Sequence, residues 1–211
     1  MRELPTVLNL APDQESERKA ADLVHLLGGK LDGIDAPASE RSVLALSCLF
    51  ASLDHHAGLV LLLGTGLFAP GFALICPLYE GFVRGTWLGF CATDEQISAF
   101  GLGLEPPRIS EMIENIESSS PFGGTVILSE AHKRNWSSLC GFAHNGVQQS
   151  LLAIQPNEIA RNCSAEKLQE ALGYSGSVAT LAAIIVCAVA GKDEVAAEIL
   201  NEAQPLILGC P

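Results

Sequence analysis

The 211-residue chain is 48% apolar and 17% charged, and its 24 acids against 12 bases give a formal net charge of −12. That balance leaves no strong nucleic-acid footprint and opposes anionic lipid; the one dense basic spot, His132-Lys133-Arg134, is too small to track a phosphate backbone. Seven cysteines, odd in number and without a CxxC pair, read as free thiols in a reducing cytoplasm rather than a disulfide framework or zinc site, and Met1–Pro5 opens without the apolar core of a signal peptide.

Helical spacing and helix caps recur, while alternating strand patterns with hairpin signals are scarce. The expected fold class is therefore all-α: a single-domain multi-helix bundle over 1–211, with a core of about 39–207 and peripheral tails at 1–12 and 208–211. A first helix is expected from Asp13 to about Leu27, stopped by Gly28-Gly29. Ser39 caps a second, whose apolar body Val43–Leu63 is interrupted at Asp54-His55-His56. A third runs from Pro70 to about Cys91; Pro77 either kinks it or begins a new helix. Thr93-Asp94-Glu95-Gln96 is a capping signal for a short helix towards Phe100, and an amphipathic helix covers about Ile109–Glu117.

Ser118–Gly124 is the most loop-like stretch. Helical segments follow at Val126–Lys133, Trp136–Ala143 and Gly146–Ala153, then a connection at Gln155–Arg161. Ser164 caps a helix through Leu172, an apolar helix covers Ser177–Ala190, and a last one runs from Asp193 to about Ile207. The helices near 43–63, 70–91 and 177–190 are expected at the centre.

Two uncharged runs, Ala57–Tyr79 and Ala171–Gly191, reach the roughly 20 residues of a membrane span. Gly64-Thr65-Gly66 and Pro70-Gly71 break the first, the second is Ala-rich, and neither has a Lys/Arg asymmetry at its ends, so a soluble bundle is the expectation.

The first run ends at Tyr79-Glu80-Gly81-Phe82-Val83-Arg84. An acid and a base at i and i+4 meet on a helix. At 100° per residue, Cys76, Glu80, Arg84, Trp87 and Cys91 share a stripe about 80° wide. Gly81, Gly85 and Gly89 form another, which implies that a second helix backbone approaches closely. Two readings stay open: a brace between helices, or a pocket in which Arg84 offers a planar fork to a small anionic or nucleotide ligand while Tyr79 or Trp87 stacks on a ring. His144-Asn145-Gly146 is either a helix C-cap or, through His144, an acid or base near neutral pH. The candidate pocket is thus Tyr79, Glu80, Arg84, Trp87, His144 and Asn145. Adjacent His55 and His56 cannot share a helical face, so no metal site is expected, and no cofactor either; His25 and His132 read as surface positions. Phosphate-loop, nucleophile-elbow and dinucleotide fingerprints are missing from the chain.

The segment Ala73–Leu88, with Pro77-Leu78-Tyr79-Glu80, Arg84-Gly85 and Trp87-Leu88, resembles an uncharacterised bacterial all-helical family. Leu139–Gly146 looks like that family's His-x-Gly element, and Cys163–Lys167 like its next helix start; together these cover roughly Ser39 to Leu172. Cys76 stands where the resemblance implies Arg. The family is distantly similar to HEPN-type helical bundles, some of which are ribonucleases in toxin or phage-defence systems that place four to six residues between Arg and His; nine residues separate Arg134 from His144. The first reading is a non-enzymatic helical interaction module, expected as a homodimer, and the resemblance alone implies a bacterial defence or mobile-element setting. Its alternatives are a HEPN-like nucleotide- or RNA-binding protein or nuclease around Glu80, Arg84 and His144, or a membrane-associated helical protein.

Overall fold

The computed structural model describes residues 14–35, 37–119, 124, 126–144, 146–147, 154–155, 158–159 and 163–207. The order is α1 (Gln14–Leu31), α2 (Glu40–Gly64), α3 (Phe68–Ala73), α4 (Ile75–Phe90), α5 (Asp94–Gly101), α6 (Ile109–Ser118), α7 (Ile127–Ala143), a two-residue antiparallel ladder pairing Ile154 with Ile159 and Gln155 with Glu158, α8 (Ala165–Ala190) and α9 (Asp193–Ala203). The all-α class holds. Helices α2, α4 and α8 touch one another and form the centre, as their apolar runs imply; α1 and α9 lie on α8, and α6 and α7 lie on α4.

Several helix ends differ from the sequence expectation, each for a physical reason. Gly28-Gly29 does not stop α1, because Leu27 and Leu31 are both buried and hold the next turn; the chain turns at Gly33, whose φ is +66°. Lys30, in that extra turn, donates to Glu198 and Glu202 of α9 at 2.7 Å each. Pro77 lies in the first turn of α4, where its missing N–H is an orphan in any helix, and the break falls at Leu74 instead. The two segments expected around Lys133 and Trp136 are one helix, α7. Likewise Gly173–Ser177 lies inside α8: the Ser175, Ser177 and Thr180 hydroxyls donate to the carbonyls of Leu172, Gly173 and Gly176, so these side chains do not compete for the helix. Helix α9 ends at Ala203, where its buried face ends. The capping box at Thr93 and Gln96 and the Ser39 and Ser164 caps form as expected. The segment expected as Gly146–Ala153 lies almost wholly outside the described residues.

The glycine stripe of α4 meets a neighbouring backbone. A Cβ on Gly81 would sit 3.0 Å from the Cys48 carbonyl oxygen, and one on Gly85 2.9 Å from that of Ala45 and 2.6 Å from Leu49 Cγ. Gly89 closes the stripe against Val189 of α8 at 3.1 Å. Arg41 locks the far end of the same pair of helices: Nη1 donates to the carbonyls of Leu88 and Ala92 at 2.9 and 2.7 Å, and Nη2 pairs with Asp94 at 2.8 Å. Helix α2 also touches α8 through a buried polar pair, His56 Nδ1 and Ser175 Oγ, 3.2 Å apart. Burial pushes the His56 imidazole down to about 4.

Two tests follow from this packing. Gly85→Ala forces a methyl against backbone and is expected to destabilise the fold by about 1–3 kcal/mol in urea titrations, whereas Gly29→Ala, with open space around it, is neutral or stabilising. His56 is neutral in the folded state below the pH at which the unfolded imidazole takes its proton. Its contribution is therefore fully present above about pH 6.5 and is lost progressively down to about pH 4, some 3 kcal/mol in all. The stability difference between wild type and His56→Leu, measured from pH 7.5 to 4, is expected to change along that ramp; a flat difference refutes the assignment.

Candidate functional site

Helix α4 turns its glycines to α2, which carries Tyr79 round to α7 and leaves Glu80 and Arg84 between the two, with Arg84 close enough to Cys48 of α2 to act on its thiol. Trp87 is sealed in the core at 1% exposure. Glu80 and Arg84 form the i,i+4 pair, with Oε2 and Nη2 3.7 Å apart, but their side chains keep 33% and 29% exposure. Such a half-open pair stabilises a helix by about 0.3–0.5 kcal/mol, far below the energetics of a sealed brace. Arg84 Nε is nevertheless buried without a hydrogen-bond partner among the described residues. Cys76 Sγ donates to Glu80 Oε1 at 3.6 Å; burial first, then the Glu80 charge, pushes this thiol up to about 12, so it is not a nucleophile at neutral pH.

Helix α7 supplies the opposite wall. His132 and Trp136, one turn apart, face Tyr79: their ring centroids lie 6.0 and 6.4 Å from the phenol ring and 4.7 Å from each other. His132 is therefore half-buried in an aromatic cluster, a correction to the surface position expected from its basic neighbours. Lys133 and Arg134 point to solvent while His132 turns inward, because the helical period separates them by 100° and more. Burial lowers the His132 imidazole and raises the Tyr79 phenol, with the Glu117 charge a further cause for Tyr79. Glu117 belongs to the last turn of α6 and caps the start of α7, accepting from Ser129 N at 3.0 Å and from the Ser129 hydroxyl. Tyr79 Oη and His132 Nδ1 are both buried and unpaired among the described residues.

The sequence-selected residues do not all converge. Contacts of Cys76 with Cys140 and Tyr79 with Trp136 show that α4 and α7 run antiparallel, and Phe72 of the preceding α3 meets Phe142 further along α7. His144 therefore stands beyond Cys76, at the other end of the interface from Arg84, which is two turns or about 12 Å further along α4. His144 itself is exposed, and its N–H donates to the Cys140 carbonyl at 3.0 Å as the C-cap of α7. Asn145 lies outside the described residues. Sequence reading missed Glu117, His132 and Cys140; the available signal was the common face of His132, Trp136 and Cys140 at i, i+4 and i+8. What the cluster offers chemically is a neutral imidazole and a neutral phenol, each with one unused hydrogen-bonding position, beside a carboxylate already engaged in capping. Among the described residues, no group of three or more His, Cys, Asp or Glu could hold a metal ion.

Arg-to-His spacing of the kind used by HEPN-type ribonucleases occurs at Arg18 and His25, with six residues between them. Both are exposed on α1, away from the α4–α7 face.

No curated protein matches the chain, and no solved structure does. A family model does match, over residues 49–207, which take in the last two-thirds of α2 and every later helix, including the whole α4–α7 face. With well over half of its length covered, this chain belongs to that family, a family of unknown function, DUF6988.

Proposed function

We propose that the protein is a non-catalytic helical interaction module that self-associates through the outer face of α2. The observation that carries this reading is the mismatch between composition and burial on that helix. Its apolar 18-residue window has a mean hydropathy of 1.5, yet only 33% of that window is buried, against 67% for the comparable window of α8. Val43, Ser47, Phe50, Asp54, Ala57 and Leu61 fall on one stripe at helical period. Within it Val43 is 56%, Phe50 38% and Leu61 67% exposed. The stripe is about 27 Å long and holds a single charge, Asp54. A second copy suits it better than a bilayer. Helix α2 is held in the bundle by α4 and α8 on its other sides, and Asp54-His55-His56 would fall in the middle of any span. The net charge of −12 opposes anionic lipid and phosphate backbones, so a charge-poor strip is where two copies meet with least repulsion.

A cytoplasmic place agrees with the described cysteines, all six of them free thiols. The bacterial defence or mobile-element setting rests on the resemblance of the Ala73–Leu88 and Leu139–Gly146 segments alone. A HEPN-like nucleotide-binding or nuclease reading draws less support, since His144 and Arg84 lie at opposite ends of the α4–α7 interface and Cys76 is protonated.

The test is sedimentation equilibrium on protein purified without detergent. Wild type is expected to be a dimer at micromolar concentration, and Phe50→Glu and Leu61→Glu monomers with unchanged helix content, since each dimer would bury two unpaired carboxylates at roughly 3–5 kcal/mol apiece. A monomeric wild type refutes self-association, and recovery only in detergent turns the reading to a membrane-associated protein.

A further inference from the structure

A second feature, separate from the α4–α7 face, lies between α1 and α2. The two helices flank a cleft of about 360 Å³ walled by Leu27, Leu31, Phe50 and Leu53. An apolar cavity of roughly 150 Å³ takes a benzene ring, so this one has room for a fused pair of rings. His56 also lines the cleft, at 1% exposure, and its Nε2 is buried with no hydrogen-bond partner among the described residues.

The other ring nitrogen sets what Nε2 can do. With the Ser175 hydroxyl proton on the Leu172 carbonyl at 3.1 Å, its oxygen is free to accept from His56 Nδ1–H at the 3.2 Å contact, and the Nδ1–H tautomer is assigned on that basis. Nε2 is then left with a lone pair and no proton: an acceptor. The Nδ1 edge is engaged with α8 in the bundle interior, so Nε2 is the nitrogen left for a guest seated in the cleft that His56 borders. A buried acceptor with no donor carries a desolvation cost that a suitable guest relieves. The exposed Asp32 and Asp54 carboxylates at the rim repel anions, and as solvated charges they do little for cations.

We propose that this cleft binds a small, flat, uncharged apolar molecule carrying one N–H or O–H group, which it donates to His56 Nε2. The apolar walls take the body of the molecule, and the single acceptor selects the donor-bearing member of any isosteric pair. Indole and 1-methylindole are such a pair, alike in the rings but differing in the N–H.

The test is calorimetric titration of the full-length protein with each compound, with the His56 ring followed by ¹⁵N NMR. Indole is expected to bind at least about fivefold more tightly than 1-methylindole, and to move the His56 Nε2 resonance as the nitrogen accepts a hydrogen bond. In His56→Leu the two compounds bind equally. Equal affinity of wild type for the two compounds overturns the proposal, as does a Nε2 resonance that stays fixed while indole binds, or indole failing to bind up to its solubility limit. The wild-type comparison does not depend on the variant folding; because Phe50, Asp54 and Ala57 line the cleft and also lie on the self-association stripe, both titrations are run at a concentration where sedimentation shows monomer.

Discussion

The close approach of the α2 and α4 backbones is the constraint on which the rest of this fold depends. At Gly81 and Gly85 there is room for hydrogen and nothing larger, with the Cys48 and Ala45 carbonyl oxygens at 3.0 and 2.9 Å from where a Cβ would be. Two helices that near each other can rotate or slide very little, because Leu49 fills the step beside Gly85. Arg41 then fixes the axial register by closing the last carbonyls of α4 from the first turn of α2. Glycine is a poor helix former, by about 0.5–1 kcal/mol relative to Ala, so its use here trades intrinsic helix propensity for packing distance.

That seam decides what the other faces of α4 can do. With glycines turned to α2, the bulk of Trp87 and Leu88 fills the core, and Tyr79 meets α7. Glu80 and Arg84 are left at the margin, where water still reaches both. The cost of charge in this apolar part of the chain is met by partial exposure rather than by perfect pairing. Apart from Arg84 Nε, the buried side-chain atoms without a partner among the described residues belong to neutral groups: the Tyr79 phenol, the His132 imidazole and the His56 imidazole. Neutral groups tolerate burial with one unused hydrogen-bonding position far better than ions do, and Arg84 keeps its charged end in water while only its Nε is covered.

Much of this was legible in the sequence, and the failures have definite causes. The all-α class, the three central helices and the glycine seam follow from periodicity, since a stripe of residues 81, 85 and 89 is a statement about one helical face. Helix ends were read less well: Gly28-Gly29 and Gly173–Ser177 are stop signals by local propensity, and both were overridden by buried neighbours one turn on, Leu31 in one case and Val178 and Ala179 in the other. The proposed convergence of Arg84 and His144 could not be read at all from spacing within α4 or α7, because it depends on their relative direction, a tertiary fact. The same is true of Glu117, which caps α7 from another helix and has no local sequence signature.

Helix α2 shows why an all-round apolar helix need not be a span or a buried rod. One face receives the α4 glycines, and a second passes His56 to Ser175 of α8. The outer face keeps Val43, Phe50 and Leu61 in contact with solvent, with Phe50 also forming part of the cleft wall against α1. A helix pinned on two sides cannot rotate to hide the third, so those side chains stay exposed in the isolated chain whatever their hydrophobicity. Their persistence there costs solubility that polar residues would have supplied, a cost that the proposed pairing of two copies along the stripe would remove without moving any contact of the bundle.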